Sequence, residues 1–160
     1  MTPQDLIARL HTNRLMETFE SVEAFEASIA ALADHSPSAD WLPELFAAFD
    51  DACPYHAVMW ELVTFVENIG EQVGSDIYLR ALCDAALDEQ SGGWIGGMLL
   101  RVINTEGTRL ALKALLPTLP DPTYEAVRNL LHILAYETPG LDETQEAEIE
   151  ARIASVLGDE

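Results

Sequence analysis

Apolar residues return every three or four positions along most of this chain, and caps, prolines and glycines punctuate the stretches between. Such spacing places one apolar stripe on each helix, directed at a shared core. Thr2-Pro3 supplies a cap and a first-turn proline for a helix to about Leu15. Ser21 is a candidate cap for a second, in which Val22, Phe25, Ile29 and Leu32 recur at helical spacing. After a loop at 35–39, Asp40 is the expected cap of a third helix through Leu45, Phe46 and Phe49. Pro54 breaks the chain. A strongly apolar fourth helix is predicted from Tyr55 to Ile69, with Gly70 as its terminating residue.

Ser75 is expected to cap a fifth helix, Asp76 to about Leu87, and Gly92-Gly93 separates it from a sixth, Trp94 to Asn104. Residues 105–108 turn into a short seventh that ends before Pro117. Asp121-Pro122 opens an eighth to about Glu137, Pro139-Gly140 stops it, and a ninth covers Leu141 to Leu157. No segment combines period-two alternation with β-branched enrichment, so strands are not expected. The prediction is an all-α fold of eight or nine short antiparallel helices, as an irregular HEAT-like array or a compact bundle. With 160 residues, 49% of them hydrophobic, the chain is expected to form a single helical domain, 1–160, with a substantial core.

Charge sharpens this outline. The formal net charge is −20, from 28 acids against 8 Lys and Arg. Between Leu15 and Leu79 there is no Lys or Arg in 65 residues, yet there are 13 carboxylates. A surface of that kind attracts a cationic partner and repels nucleic acid and anionic membrane. The excess is not a tail, because residues 1–52, 53–104 and 105–160 carry −8, −5 and −7. Solubility or salt adaptation is the competing explanation, and the single lysine, Lys113, agrees with it.

Catalytic chemistry finds no motif. His11, His35, His56 and His132 fall in separate segments without ligand spacing, and no P-loop, HExxH, GxSxG or GxGxxG is present. Cys53 and Cys83 stand alone, as small core residues rather than a zinc site. No enzyme activity, metal or cofactor is expected. The opening MTPQDLIARL lacks the basic and apolar regions of a signal peptide, and no apolar run has membrane-spanning length, so a cytoplasmic protein is expected.

Two central helices carry a pattern of their own. Trp60 and Glu67 are seven apart, two turns along one face, and Trp94, Arg101 and Asn104 share a side of the sixth helix. A charge in an apolar helix needs a partner, so Glu67, Arg101 and Asn104 are expected to form a structural polar group, with Glu67 pairing Arg101 and Asn104 tying the helix end. Gly96-Gly97 inside the sixth helix suggests close approach of a neighbour or, alternatively, a surface kept flat. Over about Tyr55 to Leu116, these residues resemble the all-helical immunity proteins of bacterial polymorphic-toxin and contact-dependent inhibition systems. The resemblance implies a cytosolic antidote that binds and neutralises a cognate toxin.

Acidity and resemblance converge. A toxin acting on nucleic acid needs a basic cleft, and an inhibitor of that cleft needs carboxylates near aromatic anchors. The expected toxin-binding patch comprises Asp50, Asp51, Glu61, Glu71 and Asp76, with Trp41 as the exposed aromatic. The partner is a cognate toxin with a basic surface, and neither nucleic acid nor membrane. An acidic scaffold or adaptor for another basic protein is the alternative.

Overall fold

In the computed structural model, residues 1–159 are described, and they hold nine α-helices and no strand, so the all-α expectation is met. The helices are α1 (Pro3–Asn13), α2 (Phe19–Leu32), α3 (Trp41–Phe46), α4 (His56–Val73), α5 (Ser75–Ala85), α6 (Gly92–Asn104), α7 (Glu106–Leu115), α8 (Asp121–Glu137) and α9 (Glu143–Leu157). Short 3₁₀ turns occupy Glu89–Ser91 and Leu116–Thr118. The chain divides into two compact units, Met1–Ala81 and Leu82–Glu160.

Helix starts follow local chemistry. Thr2 and Asp5 form a reciprocal capping box, in which the Asp5 amide donates to Thr2 Oγ1 at 3.1 Å and the Thr2 amide donates to Asp5 at 3.0 Å. The Thr2 hydroxyl, donating to Asp5 Oδ2 at 2.8 Å, and then the Thr2 amide hold the Asp5 carboxyl below its ordinary pKa. Thr18, not Ser21, caps α2: Ser21 occupies the third helical position and answers Thr18 across the same kind of box. Asp142 and Gln145 repeat the device at α9.

In the first unit α1 packs on α2, α2 on α4, and α3 on both α1 and α4. Phe25, Leu32, Leu42, Leu45, Phe46, Phe49, Met59 and Leu62 are all fully buried there. Helix α4 extends beyond its expected stop, because Gly70 lies inside it and Gly74, at φ +114°, ends it. Gly70 serves packing instead. A Cβ at that position would lie 2.7 Å from two atoms of the Tyr78 side chain, whose ring stacks obliquely on Phe46 at 6.0 Å.

In the second unit α6 packs against α7, α8 and α9, and α9 also meets α7 and α8. The last carbonyls of α6 find partners on the next helix. Thr108 Oγ1 donates to Val102 O at 2.6 Å and Arg109 donates to Ile103 O at 2.7 Å. Close packing does not account for the Gly96-Gly97 pair. A Cβ at Gly96 would meet Leu134 at an ordinary 3.7 Å, and one at Gly97 would meet nothing within 4 Å.

These two glycine environments predict opposite outcomes. Gly70→Ala forces the Tyr78 ring aside and should destabilise by about 1–3 kcal/mol. Gly97→Ala adds helix propensity in open space and should stabilise by about 1 kcal/mol. Urea unfolding of the two variants checks both signs.

Candidate functional site

Of the 13 carboxylates in the base-free run, ten are exposed, Glu26 and Glu67 are half-buried, and Asp50 alone is buried. The expected patch therefore does not survive intact. Asp50 is 5% exposed, and its Oδ2 accepts from Arg14 Nε at 3.1 Å. Its Oδ1 accepts the Ala52 amide at 2.9 Å, closing an Asx turn. Arg14 also donates to His11 O at 3.1 Å, and the His11 ring lies 2.7 Å from Glu44 O. Asp50 thus belongs to a tie between the end of α1 and the segment around α3, because a buried carboxylate requires a cation and donors.

Trp41 is corrected as well. It is 6% exposed, since Trp41, Leu42, Leu45 and Phe46 share the buried face of α3, opposite the exposed Pro43 and Glu44. The tryptophan exposed in this region is Trp60, 47% exposed on α4, with Tyr55 equally exposed just before it. Its position amid an otherwise polar stripe, Thr64, Asn68 and Gln72, was the signal that sequence reasoning passed over.

The remaining members hold their exposed positions. At 100° per residue Trp60, Thr64 and Glu71 share one line along α4, with Glu61 and Asn68 beside it. Asp51 precedes this helix and Asp76 stands in the first turn of α5. Because α4 has 18 residues it is roughly 27 Å long, so Asp51 and Asp76 mark opposite ends of an acidic strip rather than one cluster. Such a strip can complement a row of cations on a protein surface.

The proposed structural polar residues are distributed over both units. Glu67 is half-buried on α4, whereas Arg101 and Asn104 are exposed on α6. Asn104 Oδ1 accepts from Arg152 of α9 at 2.6 Å. Arg152 also lies 3.8 Å from Glu148.

Nothing in the described residues gathers three or more His, Cys, Asp or Glu side chains in a metal-binding arrangement. Cys53 and Cys83 are both buried. Burial pushes the Cys53 thiol above its ordinary pKa, against the opposing hydrogen bond from Tyr55, with the Asp50 charge adding to the rise. No helix among these residues is long and apolar enough to cross a membrane.

The class of protein is all-helical, with nine α-helices and no strand among the described residues. The particular family is shown by sequence: the pattern of the immunity protein 30 family matches residues 12–112, and the chain is a member of that family. The matched span includes Arg14, Asp50, the α4 strip, Arg101 and Asn104. Searches of curated proteins and of solved structures found no match.

The Asp50 tie gives a direct test of which acids are structural. Asp50→Lys places an ammonium against Arg14 in a buried site and should cost about 3–5 kcal/mol. Asp51→Lys, in the exposed part of the turn, should stay within about 1 kcal/mol of the wild type. Thermal and chemical denaturation distinguish the two.

Proposed function

We propose that this immunity protein neutralises a cognate toxin with a basic surface, a nuclease whose substrate groove is covered by the α4 strip. The supporting observation is the exposure of Glu61, Glu71, Asp51 and Asp76 around Trp60, within the run from Leu15 to Leu79 whose sequence holds no Lys or Arg. Family membership supplies the toxin as partner. Charge supplies the sign of the toxin's surface, since a groove that holds phosphates must be cationic. The protein acts by occupying that groove, without catalysis, and meets its target in the cytoplasm.

The physics of the encounter follows from this arrangement. Exposed carboxylates steer a cationic partner into contact, and a half-exposed indole offers apolar area to anchor it. Steering affects association more than dissociation and weakens as salt shortens the range of the field.

The test is co-purification with the toxin domain encoded beside this chain's gene, followed by binding kinetics. Combined Glu61→Lys and Glu71→Lys substitution should slow association about tenfold or more at low salt while leaving the fold unchanged. An association rate that ignores both these substitutions and the salt concentration would exclude the α4 strip from the encounter.

A further inference from the structure

The second unit contains a pocket of about 300 Å³ that the α4 strip does not involve. Its inner wall is formed by Leu116, Leu119 and Val156, all buried, with Leu157 beside them. Asp121 and Tyr124 complete the lining from the first turn of α8. Three residues apart on a helix, those two side chains lie on the same side.

We propose that this pocket seats one arginine side chain of a protein partner. The assignment follows from elimination among chemistries. A volume of about 300 Å³ stands at the lower end of small-molecule sites, which suits a single side chain better than a cofactor. A purely apolar occupant would make no use of the exposed Asp121 carboxylate in the lining. An anion would meet that carboxylate and a chain carrying −20. A cation on an apolar stem satisfies every wall at once: methylenes against the leucines and valine, charge toward Asp121. Guanidinium is favoured over ammonium, because it is weakly hydrated, stacks on an aromatic ring such as Tyr124 and meets a carboxylate through two parallel donors.

The pocket is also prepared for an occupant. Pro117 lies in the 3₁₀ turn, Pro120 is the N-cap of α8 and Pro122 follows within its first turn, so the backbone around the opening has few conformations to lose. The bond from Leu119 N to Leu116 O at 3.2 Å, and that from Thr118 Oγ1 to Leu115 O at 2.7 Å, hold the 3₁₀ turn in shape. This proposal extends the toxin-binding reading by naming a second contact and the residue type it accepts.

The experiment uses N-acetyl-arginine methylamide as probe, titrated into the full ¹⁵N-labelled chain and followed by amide chemical shifts. Shifts should concentrate at Leu116, Leu119, Tyr124, Val156 and Leu157, saturating in the millimolar range. N-acetyl-norleucine methylamide, with a similar stem and no charge, should bind at least fivefold more weakly. Asp121→Asn should weaken the arginine probe at least fivefold, and Tyr124→Leu provides a second variant should the first disturb the start of α8. Shifts that are absent or scattered, equal binding of the uncharged probe, or full binding by both folded variants would overturn the assignment. No toxin enters this titration, so its failure leaves the α4 reading standing, and failure of the α4 substitutions leaves this result untouched.

Discussion

Arg14 and Asp50 form the contact on which the first unit's organisation turns. Asp50 is the only charged residue buried among those described, and it follows a stretch from Trp41 to Phe49 in which six of nine side chains are buried. A six-residue helix such as α3 has little stability of its own. It persists because α1 and α4 cover it, and because Arg14 secures the turn that follows. The same turn delivers the chain to the start of α4, so the acidic strip is oriented by a salt bridge made from the one acid of the expected patch that is not on the surface. The end of α1 carries a second constraint. Met16 adopts φ +51°, a conformation that costs a non-glycine residue energy, and its fully buried side chain holds it there.

Much of this architecture was legible in the sequence, because helix boundaries are written in local chemistry. Thr2-Pro3, Ser75, Pro139-Gly140 and the recurrent apolar spacing gave the helix count and the fold class. Boundaries moved where two local signals competed. Thr18 and Ser21 are both capping residues, and only the reciprocal geometry selects the first. Gly70 and Gly74 are both plausible terminators, and the Tyr78 ring decides the use of Gly70.

The candidate surface was less legible, since exposure depends on tertiary neighbours. Asp50 and Asp51 are adjacent and chemically equivalent, yet Arg14, 36 positions earlier, draws one inward. Trp41 looked exposed because it opens a short helix. Its burial comes from the face it shares with Leu42, Leu45 and Phe46, opposite the exposed Pro43 and Glu44. Trp60 showed the converse: an aromatic residue within a polar stripe stays on the surface. What endures from the base-free run is its distribution, with ten of its carboxylates facing water and one turned inward for structure.

Gly97 carries a consequence of a different kind. A helical position with open space around it and no side chain is a site where the folded state is less stable than the same backbone permits. About 1 kcal/mol changes the population of unfolded molecules roughly fivefold, and proteases act on that population. Gly97 therefore leaves a larger unfolded fraction than alanine would at the same position, and with it a larger share of molecules open to proteolysis.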